Sequence, residues 1–540
     1  MAAGGAVGAG RGPVVTWRTE TVTGPDGLVC SVDRLASEAG ATVLRAGGNA
    51  VDAAIAASAV LTVTTPHMCG MGGDLFALVA GPGTAEPQVL NASGRAGSGA
   101  DPDRLRAEGH RSMPFVGDVR SAPVPGCVDG WLTLHDRLGR LPFSDVVAPA
   151  IELAEAGFPA SPLLAGTLDR LAGVTGIDEL AHAGVAEGDL LRRPGPARML
   201  RAVVAEGRAG FYGGEFGERL LEVGAGEYSA DDLATPMAEW VEGLAVDAWG
   251  HRLWTVPPNS TGYVALAAAG IAERVGLAVD PDDPAWAHLT VEAARLAGFD
   301  RPRRLFDGAD GGELVAPGRL DELAARFDPR QAARLGDRPR DGGTIYLCAA
   351  DGDGMGVSLI QSNAKGYGSL VAVPGTGILL HNRGIGFSLE PGHPAEYRPG
   401  RRPPHTLAPA LVTRPDGSLR AVLGTMGGDS QPQLVLQMLA RLLVAGQDPG
   451  TVISAPRWVL DVEGGTGFDV WERPGEHQVR IEEHAPPSWR TGLEERGHRV
   501  QRDGRDIGGF GHAHLIDVPP GGAPRGAADP RSLIGAAVPA

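Results

Sequence analysis

A threonine behind two glycines, opening an apolar run, is the part of this 540-residue chain best placed to do chemistry: Gly342-Gly343-Thr344-Ile345-Tyr346-Leu347. A threonine hydroxyl is a weak nucleophile unless a base stands beside it. Cutting the peptide bond before Thr344 supplies that base, because the new α-amino group titrates at about 7.7–8.0 and can exchange protons near neutral pH. Asp351, the pair Ser362-Asn363 and a second glycine pair, Gly427-Gly428, follow at suggestive distances. The run 336–341 just upstream is polar and charged, and a solvated loop of that kind is what a processing site needs. These residues predict a self-cleaving amidohydrolase with its nucleophile deep in the translated sequence.

The elements around them must bring distant segments together. Residues 31–45 and 51–63 predict two helices broken at Gly47-Gly48-Asn49, the second apolar nearly all round and therefore buried. Met68 to Val79 reads as a glycine turn, Gly70-Met71-Gly72-Gly73, feeding a buried strand. No lysine and Ser/Thr follow that turn as a phosphate-binding loop requires, so it is read as packing. Residues 141–221 are largely helical in pattern, 240–270 pass through strand, turn and helix, and helical pieces follow at 285–299 and 318–335. Beyond Thr344, runs 344–350 and 355–361 predict paired strands joined at Asp351-Gly352-Asp353-Gly354. Runs 407–413 and 418–423 repeat the arrangement around Pro415-Asp416-Gly417, and 433–445 is a helix by period. Strands with helices outside stacked sheets predict an α+β fold, an αββα sandwich.

Composition narrows the classes. The chain is long enough for two lobes or two subunits, and 43% hydrophobic with 21% charged residues describes a globular protein. A net charge of −17 and the lack of a basic stripe argue against a nucleic-acid partner. Cys30, Cys69, Cys127 and Cys348 are far apart without histidine companions, so buried thiols are expected, with no metal and no cofactor. The longest apolar stretch, 53–63, is too short and too interrupted to span a bilayer, and a cytoplasmic location without a membrane partner is expected.

In order along the chain stand Gly47-Gly48-Asn49-Ala50-Val51-Asp52-Ala53-Ala54, the Gly70–Gly73 turn, Pro257-Pro258-Asn259, Thr344 with Asp351, Gly375-Thr376-Gly377-Ile378-Leu379-Leu380 with Asn382, Met426-Gly427-Gly428 and Asp529-Pro530-Arg531. Each alone is weak, and Gly-Gly-Thr by itself is usually just a turn. Together, over residues 28–535, they resemble the gamma-glutamyltransferase (gamma-glutamyl transpeptidase) family of N-terminal-nucleophile hydrolases. The resemblance implies autocleavage at Gly343–Thr344 into residues 1–343 and 344–540, which stay associated as a heterodimer. It implies that Thr344 then forms an acyl-enzyme with a small-molecule substrate. Ser362 takes the place of a hydroxyl that supports the nucleophile, and Asn363 that of a neighbouring amide. The N–H groups of Gly427 and Gly428 would form the oxyanion hole.

The substrate pocket departs from the pattern. Where glutathione-using members have an acidic residue, four positions after Asn382, this chain has Gly386, and at their glutamine position it has Arg383. Ser93 replaces the early arginine, with Arg95 displaced by two, and His405-Thr406 replace a serine pair. Arg383, His405, Thr406, Arg95 and Asn382 are therefore the expected substrate-binding residues. An α-ammonium set beside Arg383 without an acidic partner would cost roughly 3–5 kcal/mol, enough to make γ-glutamyl compounds poor substrates. An arginine fork instead suits a carboxylate, so an oxalyl or short dicarboxylic acyl group is expected. Branches of the family with an altered pocket include cephalosporin acylase-like proteins and oxamate amidohydrolases. Two alternatives stand beside this reading: a γ-glutamyl enzyme acting on glutathione, and an uncleaved, non-catalytic homologue used for binding or assembly.

Overall fold

A computed structural model describes residues 17–180, 184–333, 345–463, 470–472, 475–503 and 508–540. Gly343, Thr344 and the linker 336–341 lie outside the described residues. Two seven-stranded antiparallel sheets face one another. One runs Ala536–Pro539, Gly27–Ser31, Ile345–Asp351, Gly356–Ser362, Asp74–Ala80, Gln88–Ala92, Glu239–Val241. The other runs Val22–Thr23, Arg525–Ala528, Ala513–Asp517, Leu419–Thr425, Ala410–Thr413, His251–Thr255, Leu244–Ala248.

Strand alternation builds the layers. Along Ile345–Asp351, Ile345, Leu347 and Ala349 face the helices Arg34–Arg45 and Ala50–Thr64, while Tyr346, Cys348 and Ala350 meet Leu411, Val422 and Ile516 of the second sheet. In that second sheet Ala421 and Leu423 turn outward to the helices Tyr263–Val275, Pro284–Gly298 and Gln431–Leu443. The order helix, sheet, sheet, helix is the αββα sandwich expected from the sequence. All four cysteines are buried free thiols, with Cys30 opposite Cys348 in register. Among the described residues no helix is long and apolar enough to cross a membrane.

Local chemistry explains where elements begin and end. The first helix starts at Arg34 rather than at residue 31, because Gly27–Ser31 joins the sheet and the Asp33 carboxylate caps the Leu35 N–H. Ala50–Thr64 is buried at every position and opens with a capping box between Asn49 and Asp52. Asp351 Oδ2 accepts the Ala50 N–H at 3.0 Å, and its Oδ1 accepts those of Asp353 (3.1 Å) and Met355 (2.9 Å). Asp351 thus closes the hairpin and clamps it to the buried helix. The helix read over 318–335 is shorter, Pro317–Ala324, since Asp328-Pro329 cannot continue it. Ala410–Thr413 likewise starts late because Pro409 has no N–H for the ladder.

Candidate active site

The glycine turn before Asp74–Ala80 lets backbones touch. A Cβ on Gly73 would lie 2.4 Å from Ser362 O, and one on Gly72 would lie 2.3 Å from Leu379 O. Close approach, rather than ligand binding, is what these glycines allow. It sets Asp74 directly opposite Ser362 across the ladder. A buried acid thereby stands beside a buried hydroxyl, the Ser362 strand lying between the Asp74 strand and the one that Thr344 precedes.

Arg383, 1% exposed, is the centre of the described site. Its Nη1 donates to Thr406 Oγ1 (2.9 Å) and its Nη2 to Ser362 Oγ (3.0 Å), which also accepts the Ala364 N–H at 2.8 Å. Burial pulls the guanidinium down to about 9, with Asp74 and Asp429 opposing that pull and Arg301 adding to it. Beside it, Asp74 Oδ2 accepts from His405 Nε2 at 2.9 Å and faces His381 Nδ1 at 3.3 Å, while Oδ1 accepts the Gly94 N–H at 2.8 Å. Burial alone would raise this carboxyl, but His381 and His405 hold it well below the usual carboxylate range. Burial, and then Arg383, push His405 down to about 3, so its ring is neutral. Phe76 packs edge-to-face with that ring, their centroids 4.8 Å apart.

Gly427 and Gly428 take φ of +133° and +57°, conformations that favour glycine, and lead through the turn Gly428–Ser430 into Gln431–Leu443. Among the described residues their N–H groups donate to nothing, as an oxyanion hole at a helix N-terminus requires. Asp429 follows, with Arg301 Nη2 at 3.6 Å from Oδ1 and Arg301 Nε donating to Thr261 Oγ1 at 3.0 Å. Asn363 is 2% exposed; its N–H donates to Met68 O (3.0 Å), and its side-chain Oδ1 has no partner among the described residues.

The other expected pocket residues sit differently. Asn382 spends both ends of its amide on backbone, Nδ2 donating to Phe115 O (2.8 Å) and Oδ1 accepting the Lys365 N–H (3.0 Å). It shapes the turn that presents Arg383. Arg95 contacts Gly400 O (3.1 Å), Asp307 (3.5 Å) and Glu239 (3.5 Å), a cluster apart from the Arg383 hydrogen bonds. Ser362, Arg383, Thr406 and His405 therefore form one connected group, and Asp74, His381, Arg301 and Asp429 are additions that sequence reasoning missed. A signal was present: both acids directly follow a glycine pair, Gly72-Gly73-Asp74 and Gly427-Gly428-Asp429.

A stability consequence follows from the buried histidines. His67, His405 and His514 are each pushed down to about 3, burial being the largest cause. Between about pH 6.5 and 3 the unfolded chain binds protons at these rings that the folded chain refuses, so stability rises with pH across that window. Scanning fluorimetry is expected to show Tm falling by several degrees from pH 7.5 to 5. A flat profile would mean that these rings are charged in the fold.

Comparison with known proteins adds four findings. The family pattern described as Gamma-glutamyltranspeptidase matches residues 36–538. The chain is 34% identical over 525 residues to the oxamate amidohydrolase proenzyme of Klebsiella pneumoniae subsp. pneumoniae, covering 94% of this chain and 97% of that one. It is 33% identical over 540 residues to the glutathione hydrolase-like YwrD proenzyme of Bacillus subtilis, covering 96% and 99%. Among solved structures, cephalosporin acylase from Bacillus halodurans superposes with a TM-score of 0.89 at 33% identity over 99% of both chains.

Proposed function

The chain belongs to the gamma-glutamyltranspeptidase family, and from that premise we propose a self-processing amidohydrolase for a short acidic acyl group, with oxamate as its simplest substrate. Thr344 Oγ attacks the Gly343 carbonyl, the acyl group passes from nitrogen to oxygen, and water cleaves the ester to release the α-amino group. Residues 1–343 and 344–540 would remain one unit, a reading supported by each sheet containing strands from both pieces. The freed amine then takes the Thr344 hydroxyl proton as the oxygen attacks the substrate amide. Gly427 and Gly428 donate to the developing oxyanion. The leaving nitrogen departs with a proton as ammonia or an amine, and water hydrolyses the acyl-threonine ester.

Arg383 carries the substrate assignment. It is a buried cation with a planar fork, held by Ser362 and Thr406, at the position where a carboxylate would be read. The buried acids nearby are already engaged, Asp74 by His405 and the Gly94 N–H, and Asp429 by Arg301. A substrate α-ammonium would therefore find cations rather than a partner. The Klebsiella relative's name points to the same chemistry, while the name of the Bacillus subtilis relative favours a second reading, γ-glutamyl hydrolysis.

Initial rates on oxamate and on a γ-glutamyl anilide separate the two. The expected result is a kcat/KM preference for oxamate of at least about a hundredfold, the scale of an unpartnered buried charge. Equal saturation by both substrates, or a preference for the anilide, removes the acidic-acyl reading.

A further inference from the structure

We propose that Asp74 is a positioning residue for this pocket: through one carboxylate it fixes the tautomer and place of His405, and it serves as the buried counter-charge of Arg383. The functional part rests on the carboxylate reading of Arg383 given above.

The argument begins with connectivity. Asp74 follows a turn that only glycine can make at that distance, and its strand lies against the Ser362 strand. An ionised carboxylate can only accept hydrogen bonds. Its Oδ2, 2.9 Å from His405 Nε2, therefore assigns the proton to Nε2 and leaves Nδ1 with the lone pair. The backbone N–H of His405 donates to Asn259 O at 2.8 Å, so residue 405 is held by its main chain on one side and by its ring on the other. Thr406 is thereby fixed, and Thr406 Oγ1 is one of the two acceptors that orient the Arg383 fork. The other, Ser362 Oγ, stands on the residue paired with Asp74 in the sheet. One acid thus reaches both supports of the guanidinium.

Charge gives the second half. The groups that act on Arg383 are Asp74 and Asp429, which favour its charge, and Arg301, which opposes it; the neutral His405 ring lies between Asp74 and Thr406. All are buried, where a lost counter-charge is felt strongly. His381 Nε2 meets Pro123 O at 2.8 Å, and its Nδ1 faces Asp74 Oδ2 at 3.3 Å.

The test uses the full cleaved enzyme with 15N-labelled histidine, the His405 signals being identified by their loss in His405→Gln. In the unaltered enzyme the expected spectrum is a neutral ring protonated at Nε2 from pH 6 to 9. Asp74→Asn presents an N–H to that nitrogen, so the ring is expected to switch to the Nδ1–H form. Oxamate KM should then rise about tenfold with a smaller change in kcat, and the alkaline limb of kcat/KM should move to lower pH. Asp74→Glu should keep the Nε2–H form and recover part of the KM. An Nδ1–H or charged His405 in the unaltered enzyme overturns the proposal, whether or not the variants fold. So does an unchanged tautomer in Asp74→Asn. The expected spectra in an enzyme that ignores oxamate would overturn the substrate reading instead, and leave the hold of Asp74 on His405 supported.

Discussion

Arg383→Met is expected to lower kcat/KM toward oxamate by roughly 30- to 5000-fold, the range of about 2–5 kcal/mol for losing one partner of a buried, hydrogen-bonded charge pair. The side chain is 1% exposed and bridges Thr406 and Ser362, so the change removes both a cation and the link between residue 406 and the end of the strand Gly356–Ser362. Most of the loss should fall on KM, because a substrate carboxylate is bound in the ground state as well as the transition state. Arg383→Lys keeps the charge without the planar fork and should lie between the two. Self-cleavage should proceed in both variants, since the group attacked there is the Gly343 carbonyl, a peptide carbonyl rather than part of an acidic acyl group. The unaltered enzyme should lose oxamate affinity above about pH 9, because burial places the guanidinium near that value and the carboxylate needs its charged form, which disappears as pH rises. Unchanged oxamate kinetics in Arg383→Met, with cleavage intact, would dismiss Arg383 as the carboxylate reader.

Thr344→Ala should abolish both reactions. A denaturing gel is expected to show one band at the full 55.7 kDa in place of two bands near two-thirds and one-third of that mass. Turnover should drop by at least about 10⁴-fold, since neither the attacking oxygen nor the new α-amine exists. Thr344→Ser should still cleave and turn over, because it keeps the hydroxyl. The same gel separates the enzyme from a binding or assembly homologue, which would stay whole with either residue. Two pieces and full activity from Thr344→Ala would move the nucleophile elsewhere in the chain.

The chain itself determined what depends on local pattern and ordered motifs. Largely apolar runs at 344–350 and 355–361 around Asp351-Gly352-Asp353-Gly354 predict a buried strand pair, and the run 51–63, apolar nearly all round, predicts a buried helix; both form, as Ile345–Asp351, Gly356–Ser362 and Ala50–Thr64. Glycine pairs at 72–73 and 427–428 mark the two tight turns, and the family resemblance singles out Ser362 as support for the nucleophile and Arg383 and Thr406 as substrate-binding residues. The fold joins these three side chains by direct hydrogen bonds.

Only tertiary structure decided which charges face one another. Asp74 and His405 are 331 residues apart, and Arg301 and Asp429 are likewise distant, so no local period reports either pair. Asp351, seven residues beyond Thr344, looked like a companion of the nucleophile, yet it caps a helix contributed from residue 50 onward. Arg95 and Asn382 show the same limit, because the partners that occupy them, Glu239, Asp307, Phe115 and the Lys365 amide, come from other loops. Spacing along a chain fixes hydrogen bonds within a helix or hairpin; the pairing of buried charges is set by how sheets and loops converge, a property of the packed whole.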